Sequence, residues 1–166
     1  MEAAVIRELD LRDAQTAEEI WYLQHAAYRE EAMRLGFTKL PPMSDTVESL
    51  RRSTDRYFGC ELDGEQVGAV AYALTGSMLS IRRLMVHPDH FRKGVASLLL
   101  NHLLAHVPHE RAEVYAAERN EPAVKLYRKF GFIPVERLES AHGFQLLRLI
   151  RSESAECPSA GGRFDS

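Results

Sequence analysis

The stretch Arg92-Lys93-Gly94-Val95-Ala96 joins an apolar run ending in Leu84-Met85-Val86 to a leucine-rich run that begins at Val95. Two cations and a glycine at such a junction are residue types suited to holding an anion. A helix start leaves main-chain N–H groups without partners and carries partial positive charge, and the two together bind phosphate or carboxylate groups. Gly94 allows close approach of a ligand to the chain, and Ala96 is small for the same purpose. The amides from Arg92 to Ala96 could wrap a pyrophosphate, with Arg92 and Lys93 adding charge. The same residues also describe an ordinary helix start with exposed cations, and a single glycine turn is a weak motif.

The elements that must position this loop are legible on either side. "AVIREL" reads as a first strand. A helix follows, with Thr16 and Glu19 at capping-box spacing, Ile20, Leu23, Ala27, Met33 and Leu35 on its apolar positions, and Gly36 at its end. "FTKLPPMSD" reads as a loop because Pro41-Pro42 cannot continue a helix. A short helix from Ser44 or Asp45 covers Val47 and Leu50. "RYFGCELDGEQVGAVAYAL" reads as two strands joined at Asp63-Gly64, and Gly76 turns the chain into "MLSIRRLMV". From there the order becomes strand, helix, strand: "VASLLLNHLLAHV" is a buried helix and "AEVYAA" a short strand. Such a unit joins parallel strands by a right-handed crossover. "EPAVKLYRKF" reads as a helix with Asn120 as N-cap and Gly131 as C-cap; "FIPVERL" and "FQLLRLI" read as closing strands. The expected class is α+β: a mixed, mostly antiparallel sheet of six or seven strands with helices on both faces, strands four and five parallel. Residues 1–150 are expected to form a single domain and 151–166 a disordered tail rich in Ser, Gly and Pro.

The loop and a second segment, "NEPAVKLYRKFGF", together resemble the GNAT superfamily of acyl-CoA-dependent N-acetyltransferases. The residues that carry the resemblance are Val86-His87-Pro88, Phe91 to Ala96, Asn120, Ala123, Tyr127 and Gly131-Phe132. It covers the region from about Tyr57 to Phe132. Phe91 departs from the pattern, standing where Gln or Arg is usual, so Arg92 must supply the charge.

The resemblance implies that strands four and five splay apart and that the pantetheine arm of acetyl-CoA pairs with the main chain of Leu84, Met85 and Val86. The pyrophosphate would rest on Phe91, Arg92, Lys93, Gly94, Val95, Ala96 and Ser97, with Asn120 as cap, CoA contact or both. Acetyl-CoA is the implied acyl donor and an amine of a small molecule or peptide the acceptor. Tyr127 matches the family tyrosine that protonates the leaving thiolate; a phenol, with an ordinary pKa of about 10, stays protonated at neutral pH. Without the loop, Ala123, Leu126, Tyr127 and Phe130 are an ordinary apolar stripe. A main-chain amide near Leu84 or Met85 is the implied oxyanion donor. Relatives often carry a carboxylate in the middle of strand four; here Ser80, Arg82 and Arg83 stand there, and Glu118 is a candidate base that reads equally as a solvated loop residue. Arg82 or Arg83 could attract an acidic acceptor, though alternation turns only one of them inward. By family resemblance, Tyr28, Glu31, Pro41, Pro42 and Met43 would wall the acceptor site.

Composition narrows the alternatives. The chain has 166 residues, a net charge of −3 and mixed charge along its length, so neither nucleic acid nor a membrane is an expected partner. Two cysteines, Cys60 and Cys157, make no disulfide framework, and the acidic start is no leader, so a cytoplasmic location is expected. A homodimer is compatible with this reading. His102 and His106 at helical spacing, with His109, His87 and His90, lack any metal-binding pattern, and no metal is expected. The competing functions are a catalytically weak CoA-binding regulatory module and a generic phosphate or nucleotide binder.

Overall fold

The computed structural model describes residues 3–141 and 143–153. Cys157 and most of the stretch read as a tail lie outside them. The elements are β1 (Ala4–Leu9), α1 (Ala14–Leu35), α2 (Val47–Arg52), β2 (Arg56–Leu62), β3 (Glu65–Thr75), β4 (Met78–Val86), α3 (Val95–His106), β5 (Arg111–Ala117), α4 (Glu121–Lys129), β6 (Ile133–Glu139) and β7 (Gln145–Ser152). They form a seven-stranded sheet in the order β1-β2-β3-β4-β5-β7-β6. β4 and β5 are parallel, as the strand–helix–strand order requires, whereas β1–β2, β2–β3, β5–β7 and β6–β7 are antiparallel. The β4–β5 ladder pairs Met78–Ile81 with Arg111–Val114, and β4 continues beyond it to Val86. β7 takes in Arg151 and Ser152, the first residues of the presumed tail.

The chain divides into two compact units. The first contains the residues up to Ala73 together with Arg82–Val107. Alternation along its strands serves two helical layers. Tyr57, Ala69, Ala71 and Met85 pack with Ala17, Ile20 and Leu23 of α1 and Leu50 of α2. Phe58 instead meets His102 of α3 edge-on, and Gly68 lies under the same helix: a Cβ there would come within 2.6 Å of Val95 and 3.2 Å of Leu99. Glycine at 68 is what lets α3 seat closely on the sheet.

Four local expectations are corrected. The N-cap of α1 is Asp13, not Thr16: its carboxylate accepts from the Thr16 N–H at 3.0 Å and the Thr16 hydroxyl at 2.8 Å. The Thr16/Glu19 spacing was a coincidence inside a helix already begun. Pro41–Ser44 is a single 3-10 turn rather than open loop, which two prolines permit because the first residues of a turn need no N–H partner. α2 starts from Thr46, whose hydroxyl accepts from the Ser49 N–H at 3.0 Å. At the end of α4 the C-cap is Phe130, and Gly131 follows it with φ +93°.

The second unit holds Leu74–Ile81 and the residues from Pro108 on. Ala112, Val114 and Ala116 of β5 are buried, while Glu113 between them joins a polar row. Its carboxylate accepts from the Ser80 hydroxyl at 2.7 Å and from Arg148 at 3.0 Å. Burial would raise the Glu113 carboxyl, but those bonds outweigh it and hold it below the usual range.

Candidate functional site

The loop after β4 is built by an unusual run of backbone. His87 N–H closes β4 against Val67 O at 2.8 Å, and the His87 ring accepts from the Asp89 N–H at 3.1 Å to cap a 3-10 turn over Pro88–His90. Lys93 Nζ then reaches His90 Nδ1 at 3.3 Å. Arg92 and Gly94 both have positive φ, +67° and +77°, and Lys93 between them does not. Such alternation turns successive N–H groups toward one side, a concavity that suits anions. A left-handed arginine costs roughly 1–2 kcal/mol, so the conformation is held against its local preference.

α3 begins at Val95 with no side-chain cap and no acidic residue in its first turn. Gly94 O takes the Leu98 N–H at 3.0 Å, the first bond of the helix. The amides of Val95, Ala96 and Ser97 therefore stand ahead of the helical ladder. Its positive φ alone favours glycine at 94, and a Cβ there would meet no protein atom within 4 Å. Val95 anchors the loop through its buried side chain, while Phe91, Arg92 and Lys93 are exposed.

On β4, Met85 is buried and Leu84 and Val86 are half-buried. The Leu84 main chain opposes part of the rise that burial causes at the Tyr28 phenol. Alternation separates the two arginines as expected. Arg82 is largely exposed and faces Asp55 at 3.6 Å, whereas Arg83 is half-buried and bonds Asp45 at 3.1 Å.

Asp45 was not among the residues singled out from the sequence. Its carboxylate also accepts from Gln24 Nε2 at 2.8 Å and the Ser49 hydroxyl at 2.9 Å, and its main-chain oxygen from the Trp21 indole at 2.9 Å. Burial would raise this carboxyl, yet the bonds from Gln24, Ser49 and Arg83 hold it below the usual carboxylate range. Its side-chain partners Gln24 and Arg83 lie 21 and 38 positions away, so no local pattern could have marked it. Burial pushes the Tyr57 phenol up to about 12 against the opposing pull of Arg83. Burial, with Glu31 adding to it, raises the Tyr28 phenol further. Of the other residues assigned to an acceptor wall, Pro42 and Met43 lend their main-chain oxygens to Gln24 and His25 at 2.9 and 3.1 Å, which ties the 3-10 turn to α1.

In the second unit, Asn120 caps α4: its Oδ1 accepts from the Ala123 N–H at 3.4 Å. Tyr127 is buried, with its ring edge-on to Phe132 at 5.8 Å between centroids. Glu118, the candidate base, is bonded by Arg137 at 2.6 Å. The histidines are used locally: His102 and His106 stack at 4.0 Å, and His109 meets Glu153 at 3.2 Å. Among the described residues no group of three or more His, Cys, Asp or Glu side chains could hold a metal, and no helix is long and apolar enough to cross a membrane.

A mixed sheet with β4 and β5 parallel, and between them in sequence a helix that starts without a side-chain cap, is the arrangement these residues build. Residues 10–132 match the Acetyltransferase (GNAT) family, and the chain belongs to it. It is similar in fold to the ribosomal-protein-S18-alanine N-acetyltransferase of Escherichia coli (TM-score 0.72, 14% identity, 94% of this chain and 99% of that one). It is also similar to the PaiA N-acetyltransferase of Thermoplasma acidophilum, solved in complex with coenzyme A (TM-score 0.71, 14% identity, 90% and 99%). In sequence it is 36% identical over 143 residues to a Bacillus subtilis protein described as UPF0157 protein YqkA. That match takes in 86% of this chain but only 42% of the relative.

Proposed function

We propose that the chain transfers an acetyl group from acetyl-CoA to an amine of a small molecule or peptide. The single observation that carries this reading is the start of α3, where two left-handed residues precede a helix whose first N–H groups have no side-chain cap. A diphosphate is the ligand such donors fit. Phe91, Arg92, Lys93, Gly94, Val95, Ala96 and Ser97 would hold it. Leu84, Met85 and Val86 lie beyond the β4–β5 ladder and would pair with the amides of the pantetheine arm. A main-chain amide near Leu84 or Met85 is the corresponding oxyanion donor.

The amine nitrogen attacks the thioester carbon, the C–S bond breaks, and the leaving thiolate takes a proton from the Tyr127 hydroxyl. The proton lost by the amine goes to water, Glu118 being engaged by Arg137. Asn120 acts in this reading as the cap that fixes the start of α4.

Thiol release from acetyl-CoA in the presence of an amine panel tests the proposal. Tyr127→Phe is expected to slow release by roughly 10²-fold with CoA affinity kept, the range for a general acid. Turnover equal to the parent would remove Tyr127 from the chemistry. Tight CoA binding without any amine-dependent release would favour the regulatory module, and binding of nucleotides with no preference for the thioester would favour the generic phosphate binder.

A further inference from the structure

We infer that His25 is a pH-dependent latch: as an imidazolium it clasps the Pro41–Ser44 turn to α1, and on losing a proton it loosens that clasp. Its consequence for acceptor binding rests on the acetyltransferase reading above, with Pro41, Pro42 and Met43 as acceptor wall; the latch itself does not. Three side chains from one stretch of α1 reach three main-chain oxygens of one short segment. The Trp21 indole donates to Asp45 O at 2.9 Å, Gln24 Nε2 to Pro42 O at 2.9 Å and His25 Nε2 to Met43 O at 3.1 Å. Indole and amide keep their N–H groups at any ordinary pH. An imidazole gives up its second proton in the physiological range.

The other ring nitrogen fixes the charge. His25 Nδ1 lies 2.9 Å from the Trp21 main-chain oxygen. A carbonyl oxygen only accepts, so a ring bonded to two of them carries both protons and a positive charge. The Trp21 ring stands against it, centroids 4.1 Å apart and planes tilted by 36°, and an aromatic face attracts a cation. Either neutral tautomer turns a lone pair onto one of the two oxygens, so the ring cannot stay where it is without repulsion. His25 is half-buried and lines a groove of about 670 Å³ within the first unit, so solvent protons reach it. The titratable groups that share the groove are Glu19, Tyr22 and Arg29 of α1, Glu65 of β3 and His87 after β4. His87 meets Asp89, and Asp45 is taken up by Gln24, Ser49 and Arg83. On α2, Glu48 and Arg51 pair with each other at 3.7 Å. The turn itself, Pro-Pro-Met-Ser, brings no charged side chain.

The test follows the turn and the ring together over pH. Hydrogen exchange reads the Met43 and Asp45 amides, which bond Leu40 O and Pro42 O in the turn, and nitrogen NMR of the imidazole reads its protons. Protection of the two amides, corrected for the intrinsic pH dependence of exchange, is expected to fall by roughly tenfold as the ring gives up its second proton, the range of a charge-assisted hydrogen bond. His25→Gln, whose amide donates at every pH, is expected to keep protection flat. With an amine that the protein acetylates, the acceptor KM of the parent relative to that of His25→Gln should rise over the same pH range, while the ratio for acetyl-CoA stays level. Protection that is flat in the parent, or that falls equally in His25→Gln, overturns the latch, as does a singly protonated ring in the protected state. Protection that falls with no change in the KM ratio overturns its role at the acceptor site. Failure to bind or use acetyl-CoA would sink the acetyltransferase reading and leave the latch to the exchange data. Where His25→Gln does not fold, the parent decides: ring titration and loss of protection with separate midpoints overturn the inference.

Discussion

The two helices that follow β4 and β5 start in opposite ways. α4 is closed by its own sequence: Asn120 caps it, Glu121 sits in its first turn and Pro122 needs no N–H partner. α3 has none of these, and Arg92 and Gly94 ahead of it adopt left-handed backbone. A finished helix start has little left to offer a ligand; an unfinished one at a strained turn leaves main-chain donors that an anion could take, at some cost in stability.

Closing the open start should have the largest effect. Gly94→Val places a β-branched residue at φ +77° and is expected to lower stability by about 1–2 kcal/mol and CoA affinity by roughly tenfold or more. Denaturant melts and calorimetry read the two; unchanged affinity would mean that the loop holds something other than a diphosphate. Asn120→Ala should lose about 1 kcal/mol of stability and leave CoA affinity where it was. A fall in affinity would show that the cap also touches ligand and would blur the contrast between the helices. Arg92→Gly should move the other way, stabilising the fold by several tenths of a kcal/mol through relief of the left-handed residue, while flattening the salt dependence of CoA binding.

The smallest effect expected is on acid stability. The carboxyls of Asp45 and Glu113 are both held below their ordinary values of 3.8 and 4.5. A depressed folded-state pKa gives stability that is present above the unfolded value and lost as pH falls through the folded one. The acid limb of a Tm–pH curve should therefore lie below those values, and Glu113→Gln should flatten it, leaving the neutral plateau a little lower. A mutant limb that matches the parent's would show that Ser80 and Arg148 contribute nothing through that charge.

Local patterns carried the frame. The Asp63-Gly64 hairpin, the Gly36 stop, the Asn120 cap and the leucine run of α3 are short-range signals, and each was legible because its partners lie within a few residues. The cap of α1 was misplaced because Asp13 and Thr16 both carry capping side chains, and only the backbone decides which one stands outside the helix. Gly94 was recognised as special for letting a ligand approach; its positive φ is a further demand that only the backbone shows.

What the chain order determined by itself was the class: hairpin strands followed by strand–helix–strand force a mixed sheet, and the residues from Val86 to Ala96 carry the family resemblance. Tertiary structure alone decided which arginine turns inward and that Asp45 pairs with it. These are contacts between side chains far apart in sequence, set by how α1, α2 and β4 stack. No periodicity within a single element encodes them, because alternation fixes which face a residue takes and not what it finds there.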